Sequence, residues 1–120
     1  MTKVLIADDE PNIVVSLEFM MKREGYEVVV ARDGVAALEA IRGERPRLVL
    51  LDAMMPGMSG FDVCEAVRAD PGLRDTLILM LTARGRETDM ARGLGVGANV
   101  YVTKPFSTRE LMQTVRDLLA

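Results

Sequence analysis

The sequence predicts an α/β domain, a doubly wound parallel sheet of five strands with helices on both faces. Three observations carry that prediction. Five apolar runs of strand length recur along the chain: Val4–Ala7, Tyr26–Ala31, Leu48–Leu51, Leu77–Leu81 and Asn99–Val102. Stretches with helical spacing separate them, so strand and helix alternate from end to end. The runs are almost continuously apolar, as strands buried on both faces must be, rather than alternating as in a sheet with one wet face.

Each helix carries its own signal. Ile13, Leu17, Met20 and Met21 fall on one face of the first, and Gly25 is placed to end it. Ala36, Ala37, Leu38, Ala40 and Ile41 form the second, which Gly43 and Pro46 are expected to stop. Phe61, Cys64 and Val67 form the third, begun by Ser59-Gly60-Phe61-Asp62 with capping-box character. The fourth, within 84–96, is expected to be short and only locally stable. Gly93, Gly95 and Gly97 crowd that region, and each glycine costs a helix up to about 1 kcal/mol against alanine. The last is the clearest. Ser107-Thr108-Arg109-Glu110 reads as a capping box, and Leu111, Val115, Leu118 and Leu119 then repeat on one face.

Size and composition bound the function. With 120 residues, 49% of them apolar and 28% charged, the chain reads as one soluble domain spanning 1–120, with a core that needs no metal or disulfide staple. No apolar run approaches the length of a membrane span, and no signal peptide opens the sequence. Cys64 is the single cysteine and has no partner for an internal disulfide, so a reducing cytoplasm is the expected location. A net charge of −3 argues against direct binding of nucleic acid. The absence of histidine removes Ser-His-Asp and Cys-His catalysis, histidine-bound zinc and a phosphohistidine on this chain.

In a doubly wound sheet the functional crevice lies at the carboxyl ends of the strands. Strand one ends in Asp8-Asp9, strand three in Asp52, strand four in Thr82 and strand five in Lys104. One edge of the sheet therefore receives three carboxylates, a hydroxyl and an ammonium. Like charges 4 Å apart repel by about 4 kcal/mol at an effective dielectric near 20, so something must offset the acids. Oxygen ligands with no histidine or second cysteine suit Mg²⁺, which takes one or two carboxylates and keeps several waters. Lys104 would meet a phosphoryl group with positive charge and Thr82 with a neutral hydrogen bond. A carboxylate can itself attack phosphorus to give an aspartyl phosphate. Read singly these residues are ordinary: acids before Pro11 suit a helix N-terminus, Thr82 suits a cap, and Tyr101 suits a partial core. Their convergence is what carries the chemistry. Glu10 is read as serving the helix end. The nine methionines are read as core filler, with Met54, Met55 and Met58 near the site.

The segments IADDEP, LVLLDAMMPGMSG, LMLTA and YVTKPF, in this order and spacing, resemble the receiver domains of two-component response regulators along the whole chain. The resemblance implies a flavodoxin-like (βα)5 fold with strand order 2-1-3-4-5. It implies Asp52 as phosphoacceptor, and Asp8, Asp9, Asp52 and the carbonyl of Met54 as Mg²⁺ ligands. Thr82 and Lys104 would contact the phosphoryl group. Thr82 and Tyr101 would form a switch that reshapes the surface of the fourth helix, fifth strand and last helix. The donor would be a histidine kinase or histidine phosphotransfer protein, and the output an unknown partner or an effector domain of a longer regulator. Two positions depart from the pattern. Arg47 opens strand three where many relatives carry an acid, and Asn99-Val100 replaces an acidic pair before the aromatic. The second weakens the case for a salt-bridged dimer, so a monomer or a weak phosphorylation-dependent dimer is expected.

Rival functions fit less well. A Mg²⁺-dependent phosphohydrolase using an aspartyl phosphate needs a general acid two residues after its nucleophile, and that position is Met54. A flavin-binding module of the same topology needs a first loop that cradles phosphate, whereas Asp8-Asp9-Glu10 would repel it. A degenerate receiver would lack part of the constellation, and every position is filled.

Overall fold

The structure is a computed structural model and describes residues 1–83 and 95–120. In chain order its elements are β1 (Lys3–Ala7), α1 (Pro11–Arg23), β2 (Glu27–Ala31), α2 (Gly34–Glu44), β3 (Leu48–Asp52) and α3 (Gly60–Ala69). A 3-10 turn (Pro71–Leu73), β4 (Leu77–Ala83), β5 (Val100–Lys104) and α4 (Thr108–Leu119) follow. All strand pairs are parallel, in the order β2-β1-β3-β4-β5. The fold class read from the sequence and the order implied by the resemblance are both observed. The short helix expected within 84–96 falls mainly on 84–94, outside the described residues. No helix among the described residues is long and apolar enough to cross a membrane.

Successive side chains of a strand point to opposite faces, and here both faces are apolar. Leu5, Val49, Leu51, Ile78 and Met80 meet Ala37, Leu38 and Ile41 of α2 and Phe61, Cys64 and Val67 of α3. Val4, Ile6, Leu48, Leu50, Leu79 and Leu81 meet Val14, Leu17 and Met21 of α1 and Leu111, Met112 and Val115 of α4. Each large side chain buried this way contributes about 1.5–3 kcal/mol. The direction of crossing reverses between β1 and β3, and there the carboxyl ends of the two central strands open side by side. Cys64 is buried within the α3 cluster, and burial pushes its thiol above the usual range. That agrees with an inert core role.

Local signals act mostly as the sequence implies. α1 ends before Gly25, whose φ of 89° favours glycine. Ser59 and Asp62 form a complete capping box on α3, and Ser107 accepts a hydrogen bond from the amide of Glu110 on α4. α2 differs: it runs through Gly43 to Glu44, and Arg45 takes the left-handed cap at φ 50°. The Arg45 guanidinium donates to the carbonyl of Gly72 at 2.9 Å, an anchor that Gly43 could not supply. The last three strands also run further than their apolar runs. β3 includes Asp52, β4 includes Thr82 and β5 includes Lys104, because backbone pairing continues through Asp52↔Leu81, Thr82↔Thr103 and Ala83↔Lys104. Asn99, the departure before β5, splices that strand to β4. Its amide donates to Ile78 O at 2.9 Å, and its side-chain oxygen accepts from Ile78 N and Arg68, both at 2.8 Å.

Candidate functional site

The sheet delivers the site because strand pairing fixes where each side chain emerges. Asp8 follows β1, with its amide donating to Ala31 O at 3.1 Å. Asp52 closes β3, and the next amide, of Ala53, donates to Leu81 O at 2.8 Å. Thr82 and Lys104 stand on the two strands beyond. Asp8, Asp52 and Thr82 are buried, with Asp8 wholly inaccessible and Asp52 5% exposed.

Lys104 links the acids. Its Nζ lies 2.9 Å from Asp8 Oδ2, 2.9 Å from Glu10 Oε1 and 3.6 Å from Asp52 Oδ1. The Lys104–Pro105 peptide that follows is cis. Asp8 Oδ1 accepts from the amide of Glu10 at 2.9 Å, and Asp52 Oδ1 from the amide of Met54 at 3.2 Å. Carboxylate oxygens of Asp8, Glu10 and Asp52 all lie within 4.8 Å of one another. Asp9 is exposed and stands outside that trio, but its carboxyl contacts Asp52.

The electrostatics follow from burial. Desolvation first, then the charge of Asp8, pushes the Asp52 carboxyl up to about 7; Lys104 and the Met54 amide oppose this, and the Asp9 contact adds to it. Burial pulls the Lys104 ammonium down, but its hydrogen bonds to Glu10 and Asp8 and the charges of Asp52 and Asp8 together raise it. Lys104 is therefore fully charged at neutral pH. Among the described residues the buried Thr82 hydroxyl has no hydrogen-bond partner, and Asp8 Oδ2 has none besides its ion pair with Lys104. Oxygen donors, excess negative charge and an undersatisfied carboxylate oxygen together fit a small hard dication.

The arrangement brings together Asp8, Asp52 and Lys104, and places Thr82, buried, on the strand between those of Asp52 and Lys104. Tyr101 is half-buried against the core cluster shared with α2 and α3. Glu10 has a partner beyond the helix-end role read from the sequence. It occupies the position capping α1 but makes no side-chain capping bond; its carboxylate goes to Lys104. No local signal announces this contact, because the partner, Lys104, lies 94 residues away in the chain.

Known proteins share this fold. The family model described as the response regulator receiver domain matches residues 4–116. The DNA-binding response regulator MtrA of Mycolicibacterium smegmatis is 46% identical over 114 residues, which are 95% of this chain and 49% of that protein. The chain thus spans about half the length of this curated relative. The chemotaxis response regulator CheY4 of Vibrio cholerae superimposes with a TM-score of 0.91 at 35% identity, covering 98% of each chain. The receiver domain of a sensor histidine kinase from Pseudomonas aeruginosa superimposes with a TM-score of 0.90 at 28% identity, covering 98% of this chain and 97% of that one. That structure has a magnesium ion coordinated in its active-site cleft. A doubly wound sheet whose strand ends gather these residues, matched by the family model over nearly its full length, makes the chain a member of the response regulator receiver domain family, the signalling modules of two-component systems.

Proposed function

We propose that this receiver domain is switched by phosphorylation of Asp52 in a Mg²⁺-dependent reaction with a phosphohistidine donor. The observation that carries the reading is the convergence of buried Asp8 and Asp52 on the ammonium of Lys104, beside a strand whose buried Thr82 hydroxyl has no partner among the described residues. Asp8, Asp9, Asp52 and the carbonyl of Met54 would hold the cation, which when bound supplies positive charge beside the transferring oxygens. The chain's own groups do the rest. A carboxylate oxygen of Asp52 forms the new bond to phosphorus as the bond to the donor's imidazole nitrogen breaks, and that nitrogen keeps the electron pair. Lys104 offers a charged hydrogen bond to the arriving phosphoryl oxygens, and Thr82 a neutral one from a hydroxyl that no other described residue engages. Catalysis of this kind is mainly positioning. The side chain two residues past Asp52 is the half-exposed thioether of Met54, not an acid, which disfavours a phosphohydrolase.

The donor in this reading is a histidine kinase or a histidine phosphotransfer protein. Similarity to a DNA-binding regulator favours control of gene expression as the output, exerted through an effector domain or partner rather than by this acidic domain itself. With Mg²⁺ and a small acyl phosphate, intact mass should show one phosphoryl group added to wild type and none to Asp52→Asn, because an amide cannot attack. Equal labelling of the two proteins would sink the assignment.

Transmission would run through Thr82. When its hydroxyl turns to the phosphoryl group, it frees space beside β4 that half-buried Tyr101 can fill, altering the surface shared by β5 and α4. Beryllofluoride with Mg²⁺, standing in for the phosphoryl group on Asp52, should therefore shift amide resonances around Tyr101, Phe106 and α4. In Thr82→Ala those distant shifts should shrink several-fold while those at Asp52 persist. Distant shifts of full size in Thr82→Ala would exclude this route.

A further inference from the structure

Lys104 divides its ammonium among three carboxylates that are not equivalent. Asp8 and Asp52 are buried acids at strand ends. Glu10 comes from the solvent side, with 58% of its side chain exposed, yet it is as close to Nζ as Asp8, at 2.9 Å, and makes a well-directed hydrogen bond. Asp52 is held further off, at 3.6 Å. The carboxylate of Glu10 makes no capping hydrogen bond to the helix it precedes. Its amide is fixed by Asp8 Oδ1 at 2.9 Å, so the backbone itself aims this side chain at the site's ammonium.

We infer that Glu10 is a positioning residue for Lys104, holding the ammonium short of Asp52 at rest and yielding it to a phosphoryl group carried on Asp52. The inference rests on the phosphoacceptor reading and gives a role to a residue that reading leaves unused. Once Asp8 and Asp52 face a dication, they have less charge to offer Lys104, and Glu10 is the carboxylate that still competes for it. The exchange moves no proton. Lys104 stays charged throughout, a carboxylate–ammonium pair gives way to a phosphoryl–ammonium pair, and the released Glu10 returns to water, where most of its side chain already lies. Glu10 thereby sets how readily the phosphorylated state forms.

The test is a double-mutant cycle read by beryllofluoride titration in Mg²⁺, with Mg²⁺ alone titrated in parallel, on wild type, Glu10→Gln, Lys104→Met and the double variant. Glu10→Gln keeps the side chain's size and removes its charge. It should bind beryllofluoride about two- to fivefold more tightly than wild type, the worth of one partly exposed ion pair. In the Lys104→Met background the same change should have no effect, and Mg²⁺ affinity should stay within about twofold of wild type. The ¹⁵N signal of the Lys104 ammonium gives a second readout, and it should move the same way on Glu10→Gln as on beryllofluoride addition to wild type. A gain that persists without Lys104 would make Glu10 a general repulsive charge. A tenfold or greater loss of Mg²⁺ affinity would make it a metal ligand, and an unmoved ammonium signal would show that no tether exists; each overturns the inference. Wild type that takes up no beryllofluoride would overturn the phosphoacceptor reading and the exchange together, whereas uptake by wild type with unaltered binding by Glu10→Gln would overturn the exchange alone.

Discussion

Gly60→Ala lowers the stability of the domain by about 3 kcal/mol, at the upper end of what forcing extra atoms into a packed core costs. Gly60 opens α3 and is buried against the end of β3, with its amide donating to Ala53 O at 2.9 Å. A Cβ added there would run into the carbonyl oxygen of Asp52 and approach Ala53 Cα and the Asp52 carbonyl carbon at 2.9 Å. All three atoms are backbone, so no side chain can swing aside to relieve the clash. Either α3 lifts off the sheet or the peptide after Asp52 moves, and the second would disturb the amide of Met54 that Asp52 accepts from. Gly43→Ala is the control. Gly43 lies inside α2 with nothing within 4 Å of a built Cβ, so alanine there should stabilise by up to about 1 kcal/mol. Urea denaturation of the two variants reads the contrast, with a melting-temperature loss of about 10 °C expected for Gly60→Ala. Gly60→Ala as stable as wild type would mean that the close packing of α3 on β3 is absent in solution.

Gly60 and Gly43 also show which parts of this protein a sequence discloses. The strands were legible because a sheet covered on both faces demands continuous apolar runs, and Leu48–Leu51 is wholly buried as that demand requires. Asp52, Thr82 and Lys104 were legible as residues following strands, though in the structure they lie at the ends of the strands themselves, because backbone pairing outlasts the apolar run. What the sequence hid depends on distances between segments far apart in the chain. Of the two expected stops, α2 runs past Gly43 and ends before Pro46, and its cap residue Arg45 reaches the carbonyl of Gly72, 27 residues away. Glu10 carried a helix-end signal, but Lys104, 94 residues away, claims its carboxylate. Gly60 looked like part of a cap, and only the approach of the β3 backbone shows why it has no side chain. Local chemistry predicts what a residue can do, and the tertiary partner decides which of those things it does.

Asp52→Asn, which should abolish phosphoryl uptake, should also make the metal-free protein more stable, by an amount that grows with pH. Asp52 is 5% exposed and lies beside Asp8, whose charge it cannot escape. Burial and that repulsion raise its carboxyl from 3.8 to about 7 in the folded state, despite the opposing pull of Lys104. Between those values the folded protein holds a proton that the unfolded chain has released. Its contribution to stability is therefore complete below the unfolded pKa and is lost as pH rises through the folded one. At about 1.36 kcal/mol per pH unit, the interval from 3.8 to about 7 bounds the loss at about 4 kcal/mol. Asparagine carries no charge at any pH and escapes that loss. Urea unfolding in a chelator should find the two proteins similar near about pH 4 and the variant ahead by about 2–4 kcal/mol near about pH 8. Added Mg²⁺ should then narrow the gap, because a cation bound to the folded state stabilises wild type by mass action and finds one carboxylate fewer in the variant. A difference between the proteins that stays flat from acid to alkali would show that Asp52 is not charged against its surroundings. It would also leave the offset of repulsion by a cation without its driving force.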